Sequence, residues 1–304
     1  MVNKITKKRL KNVIVYDGLK IILLSVIICI IAVLVFNAIT KKPSDGQDFK
    51  LIVDDELITG DDTNPFFAEL FSNGVENGGY SYETLKGELM YLKGNDESPK
   101  SYMLNNVYAD IAQDDVCVLA EDTYLGYVSR NNAIDLLQYV DGALNYLTSE
   151  GLCDLNGVFN VDKVNAYFDR TRGKDSRFKT EEQIKKGKED ELKRLKAIYN
   201  NATKLKNCFN AHPELLDQRT FTYGGVEITG KFALVLDKFD GNNDRRIENL
   251  FKRAYKDESG EVKYTTQGIY IAIGNNSIEN GDLFYENLAF LYTLINTYST
   301  YLTV

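Results

Sequence analysis

Residues 21–40 (IILLSVIICIIAVLVFNAIT) run for twenty positions without a charged side chain. A helix of about 20 apolar residues is what crosses a hydrocarbon core about 30 Å thick. No other stretch constrains the chain as strongly, because backbone polar groups inside a bilayer must be satisfied within the segment itself, and a lone span can do this only as a helix. Ser25 can bond back onto its own helix, and Asn37 falls near the end of the run, within reach of water. Before the run stand Lys4, Lys7, Lys8, Arg9, Lys11 and Lys20, opposed only by Asp17. The positive-inside rule therefore predicts a cytoplasmic basic tail over residues 1–20, a single-pass transmembrane signal anchor over 21–40, and a C-terminal domain outside the cytoplasm at the cell membrane. A cleaved signal peptide would carry a shorter apolar core closed by small residues. Neither feature is present. Cys29 follows Ile28 inside the run and reads as a membrane-embedded side chain, not a lipid acceptor.

Charge separates the two parts. The first 42 residues hold eight Lys/Arg and one Asp, which leaves 28 basic and 43 acidic side chains for the remainder. So acidic an exterior repels nucleic acid, whose recognition rests on neutralising phosphates, and the bilayer itself is the first expected partner. After a linker over residues 41–48, residues 49–304 are long enough to bury a substantial core. The 20 Tyr and 15 Phe argue for a packed domain, while the absence of Trp removes the strongest stacking platform for sugars. Cys117, Cys153 and Cys208 are too few for a disulfide scaffold. Cys117 sits in an apolar run and reads as a small buried hydrophobe, and a Cys153 to Cys208 bridge stays open.

Periodicity places the elements. Residues 49–53 (FKLIV) read as a strand, followed by a helix that begins at Asn64 and Pro65 and ends at Gly74. Residues 80–92 fit strand or helix equally, and 99–111 show a helical pattern. Residues 115–119 (DVCVL) form a compact strand, with helices expected over 122–129, 134–147 and 161–168. The longest helix spans 181–209. Leu195, Ile198, Ala202, Leu205 and Phe209 make one apolar seam along it, suited to packing on its own domain. Strands follow over 220–223, 226–237 and 268–274 (GIYIAIG), and a helix over 281–301 puts Phe284, Leu288, Leu291, Ile295 and Tyr298 on one face. Helices interleaved with short apolar strands predict an α/β architecture.

The chemistry-bearing patterns are sparse. His212 is the only histidine, and its place just past the long helix, before Pro213, predicts a role in capping that helix. No nucleophile elbow, zincin motif or P-loop occurs, so no catalytic residue and no cofactor is assigned. An enzyme acting on the cell wall through paired carboxylates is a third-ranked reading. The most suggestive polar run is residues 240–248 (DGNNDRRIE), where Asp240, Asn242 and Asp244 occupy positions 1, 3 and 5 of a calcium loop. Arg245 replaces the glycine of position 6 and Phe251 the bidentate carboxylate of position 12. These three residues are therefore weak calcium candidates, set against a polar turn that caps the following helix.

Two stretches resemble the extracytoplasmic solute-binding proteins of bacterial transporters. One is the strand at 115–119 with the segment Asn132-Ala-Ile-Asp-Leu-Leu137. The other is the strand at 268–274 with the helix at 282–291 (DLFYENLAFL). Together with the anchor they also look like a group of membrane-anchored proteins of Gram-positive bacteria. The resemblance implies two α/β lobes with a solute cleft between them, and it carries over no ligand-contacting residue. The charged helix at 181–209 has no counterpart in that pattern. The expectation is a non-enzymatic, membrane-tethered binding or sensing module for a small solute or peptide, acting alone or with a membrane protein partner. The alternative is a bitopic scaffold or interaction protein without a ligand cleft.

Overall fold

Two strands buried on both faces organise the domain. Val116–Ala120 (β4, VCVLA) and Ile269–Ile273 (β9, IYIAI) have every residue buried, as expected for strands whose sequence is a continuous apolar run. They pair antiparallel from Val116 opposite Ile273 to Ala120 opposite Ile269. The computed structural model describes Val26, Cys29 and Ile30, then residues 48–76, 86–92, 116–173, 178–275 and 284–302. The chain divides into two compact units, Met1–Pro43 and Ser44–Val304. In the first, Val26, Cys29 and Ile30 are helical and exposed; the rest of the expected span at 21–40 lies outside the described residues, as does the expected helix at 99–111. Among the described residues no helix is long and apolar enough to cross a membrane.

The second unit is a mixed α/β domain. On one side of β4 lies Asp48–Asp54 (β1), and beyond it Lys86–Leu92 (β3), all three parallel. On the other side β9 pairs with Val226–Val235 (β6), which pairs in turn with Leu216–Tyr223 (β5), all antiparallel. The order of this six-stranded sheet is β3-β1-β4-β9-β6-β5. The β5–β6 hairpin turns at Gly224 and Gly225, both at positive φ (58° and 82°), which a two-residue turn matched to the twist of its strands requires. A separate three-stranded antiparallel sheet joins Leu57–Thr59 (β2), Phe251–Lys256 (β7) and Val262–Thr265 (β8) in the order β2-β7-β8. It shares the main core through Leu57 and Phe251.

The two faces of the large sheet are covered unequally. One face, with Leu51, Val53, Val116, Val118, Ile269, Ile271 and Ile273, packs on Thr63–Glu76 (α1), Leu136–Ser149 (α3) and Phe284–Tyr298 (α6), and also on the long Glu181–Ala211 (α5), which carries Val161–Thr171 (α4). The opposite face, with Ile52, Cys117, Leu119, Tyr270 and Ala272, is met by Glu121–Ser129 (α2). Local chemistry fixes the helix ends. Asp135 caps α3, accepting from the backbone N–H groups of Leu137 (2.8 Å) and Gln138 (3.0 Å), while its other oxygen accepts from Lys231 N–H of β6 (2.7 Å). Thr180 and Gln183 close a capping box on α5, and Pro213 follows its C-cap, His212.

Two expectations are corrected here, and two readings left open by the sequence are decided. Gly74 lies inside α1, whose helix runs on to Glu76. The ambiguous segment at 80–92 is strand from Lys86 onward. The strand expected from 220 starts four residues earlier, at Leu216. The cysteines at 153 and 208 are both free thiols, with burial raising both, Cys208 to about 11. The seams behave as their spacing demands: Leu195, Ile198, Ala202, Leu205 and Phe209 of α5, and Leu288, Leu291, Ile295 and Tyr298 of α6, are all buried.

One costly feature is an ion pair inside the helical layer. Arg194 and Glu191 of α5 lie 3.4 Å apart with side chains 1% and 0% exposed, beside Tyr167 of α4, whose hydroxyl meets that of Tyr146 at 3.0 Å. Withdrawing two charges from water is offset only while both partners stay. Arg194→Leu is expected to lower unfolding free energy by about 3–5 kcal/mol, and Glu191→Leu added to it should restore most of the loss. Equilibrium denaturation of the two variants measures both values, and a loss under about 1 kcal/mol for the single change would contradict the buried-pair description.

Candidate functional site

In an open sheet with parallel strands, ligands bind outside the carboxyl ends of the strands where the chain reverses its direction of winding. Here β1 leads to β3 on one side, and the chain then returns across β1 to β4 on the other. The switch point therefore lies between the carboxyl ends of β1 and β4. Asp54, the last residue of β1, is 0% exposed there. One of its carboxylate oxygens accepts from Ala120 N–H at the end of β4 (3.3 Å), and the other from Glu56 N–H in the turn to β2 (3.2 Å). The carboxylate thus ties the two strand ends together, and α2 starts directly after Ala120 without a side-chain cap.

A polar cluster grows from this crest on the α2 side. Tyr124 of α2 lies flat against Tyr270 of β9, ring centroids 4.3 Å apart and planes at 14°. Its hydroxyl donates to Asp217 Oδ2 of β5 (2.8 Å), and the same oxygen accepts from Arg219 Nε (2.6 Å). A register shift between Asp217 and Gln218 interrupts the β5 ladder at this point, and irregularities of this kind re-aim side chains near functional sites. Asp217 is 14% exposed and Arg219 35%, so the cluster opens to solvent at its Arg219 end. Burial, then the Asp217 hydrogen bond, pushes the Tyr124 hydroxyl far above the ordinary tyrosine range. Burial likewise raises Tyr270, with Glu121 adding to it, and the bond to Asp217 raises Arg219. Tyr124 therefore stays an uncharged phenol at neutral pH, beside the side chains of Asp217 and Arg219. Such groups hydrogen-bond and orient a polar molecule against an aromatic wall.

The residues singled out in the sequence lie elsewhere. Asp240 accepts from Thr300 N–H (3.0 Å) and Thr300 Oγ1 (2.5 Å), and Asn242 Nδ2 donates to Asn296 O (3.0 Å). Asp244 is exposed at φ 69°. The expected capping of a following helix is corrected: this loop fastens the C-terminal end of α6, and Arg245 extends the fastening to Glu69 of α1 (2.9 Å). Among the described residues no three His, Cys, Asp or Glu side chains converge as a metal shell would require. His212 occupies the C-cap position of α5, but its Nδ1 faces Glu214 Oε1 at 3.1 Å and its ring leans on Tyr301, centroids 4.3 Å apart. The expected place at the end of the long helix is thus borne out, with the backbone N–H of His212 donating to Cys208 O and the side chain meeting a carboxylate. A concavity of about 460 Å³ lies between α4 and α5 and is lined by Val161, Asn165, Ile184, Lys185, Lys188 and Leu192. Lys188 is held there by Asp169 at 2.7 Å.

Compared with protein-family models, curated proteins and solved structures, the chain matches none.

The tyrosines supply a pH test. Burial is the largest cause of the raised hydroxyls of Tyr124, Tyr167 and Tyr298. The unfolded chain releases these protons near pH 10 while the fold retains them, so the stability they give is complete below about pH 10 and is lost as pH rises toward the folded values. Denaturation midpoints should fall steeply above pH 10, less steeply in Tyr124→Phe. An unchanged slope in that variant would place Tyr124 outside the buried cluster.

Proposed function

We propose that this chain is a membrane-tethered, extracytoplasmic α/β binding or sensing module, non-enzymatic, that takes a small solute or peptide. The anchor at 21–40 holds it at the cell membrane with the basic tail inside, and the domain outside captures the ligand or presents it to a membrane partner. The observation that carries this reading is the placement of the Asp217–Arg219–Tyr124–Tyr270 cluster beside the switch point of the parallel strands. The segments that resemble solute-binding proteins also meet there. The strand at 116–120 pairs with that at 269–273, Ile134 N–H bonds to Ile273 O (2.9 Å), and Asn275 N–H bonds to Asn132 O (2.8 Å). In this reading the six-stranded sheet is the body of one lobe, and the three-stranded sheet forms the opposing wall of the cleft.

One observation favours the scaffold reading. Leu155, Val158 and Val161 are 87%, 67% and 53% exposed on one short stretch, which suits a protein contact. The α5 and α6 seams, by contrast, are consumed by the core.

Thermal melting of the full chain in detergent, against amino acids, short peptides and sugars, separates the two readings. A ligand that binds only the folded state stabilises it by about 2.7 kcal/mol at a hundredfold excess over its Kd. At least one class should raise the midpoint saturably, and Asp217→Ala should abolish the rise. If no class shifts the midpoint, or the rise survives Asp217→Ala, the binding module at this site is wrong.

A further inference from the structure

Arg253 is a half-buried cation of the small sheet. It lies at the centre of the three-stranded sheet, opposite Leu57 on β2 and Thr265 on β8. Strand alternation places it on the same side as Phe251, the side that faces the core. Its Nε is buried and has no hydrogen-bond partner, and among the described residues its guanidinium forms no ion pair. Other arginines are held: Arg194 by Glu191, Arg219 by Asp217 and Arg245 by Glu69. A buried donor left without an acceptor forfeits its hydration with no return, and in a domain so rich in carboxylates a cation without one calls for a physical reason.

The guanidinium rests on Gly268. A Cβ built on that glycine would lie 3.3 Å from both the Cζ and an Nη of Arg253, and Gly268 holds φ at +71°. The missing side chain lets the planar group lie close against backbone. Gly268 directly precedes β9, whose first residue, Ile269, pairs with Ala120 at the carboxyl end of β4. Arg253 therefore reaches the crest of the large sheet from the small sheet, toward the end where Asp54 joins β1 to β4.

We propose that the Arg253 guanidinium is the anchor for a carboxylate of the bound solute or peptide, held between the three-stranded sheet and the crest of the six-stranded sheet. This rests on the binding-module reading and names the chemical class of its ligand. The planar fork of donors matches a carboxylate in two parallel hydrogen bonds and gives the buried Nε its acceptor. A singly charged group fits better than a phosphate dianion. Asp54, Asp55 and Glu56 lead into β2 beside Leu57, the cross-strand neighbour of Arg253, and Glu121 opens α2 at the end of β4. One guanidinium balances one negative charge and leaves the second charge of a dianion uncompensated.

The test uses the full chain in detergent, labelled with ¹⁵N-arginine and titrated with acetate, inorganic phosphate and chloride at matched ionic strength. The Arg253 Nε–H resonance is assigned by its loss in Arg253→Lys. Acetate should shift it saturably, phosphate less and chloride not at all. In Arg253→Lys, which keeps the charge but not the fork, acetate binding followed at the Gly268 amide should weaken about tenfold or more. Three results overturn the proposal: equal shifts with acetate and chloride, a stronger response to phosphate, or acetate binding unchanged in Arg253→Lys. A solute that binds in the melting experiment yet is indifferent to Arg253 would remove this anchor and leave the module reading standing. Acetate bound at Arg253 while no solute class binds would do the reverse.

Discussion

The arrival of β9 between β4 and β6 is the pairing on which the rest of the domain depends. Before it pairs, the parallel strands β3, β1 and β4 and the antiparallel hairpin β5–β6 are two separate pieces, each with an open edge. Inserted, β9 presents Ile269, Ile271 and Ile273 to the helical layer and Tyr270 and Ala272 to the α2 side, all buried. Both hydrophobic clusters therefore pass through this one strand. Its partner β4 is separated from it along the chain by helices α2 to α5 and strands β5 to β8, so the sheet closes only by bringing distant parts of the chain together, the slow kind of contact in folding.

The same insertion builds the geometry of the candidate site. Tyr270 sits opposite Leu119 and reaches Tyr124 only because β9 lies against β4; Gly268 meets Arg253 only because β9 begins at the carboxyl end of β4. Asp217 and Arg219 come from β5, two strands further along the sheet. The polar groups of the crest thus arise from four different strands and one helix, each held by apolar packing beneath it. Preorganisation of that kind lowers the ordering cost of binding.

This explains which parts were legible in the sequence. β4 and β9 announced themselves because a strand buried on both faces must be apolar throughout, and α5 because a 31-residue helix with a core-facing seam repeats its apolar positions. The strands β7 (FKRAYK) and β8 (VKYT) were missed because one face is largely exposed and carries Lys252, Lys256 and Val262, so no apolar run marks them. The site was illegible for a different reason. Asp54, Asp217 and Arg253 come from three distant strands with no spacing that relates them, and only the folded arrangement of the two sheets relates their positions. The acidic run at 240–244 drew notice by its resemblance to a calcium loop, but its carboxylate at Asp240 and amide at Asn242 are taken by α6.

Amide hydrogen exchange on the full chain tests this dependence on β9 most directly, because exchange resolves the domain into its cooperative units. The amides of Ile269–Ile273 should fall in the slowest class and share one opening free energy with those of β4, since neither strand can open without breaking both clusters. Exchange of β9 at loop-like rates while β4 remains protected would contradict the account.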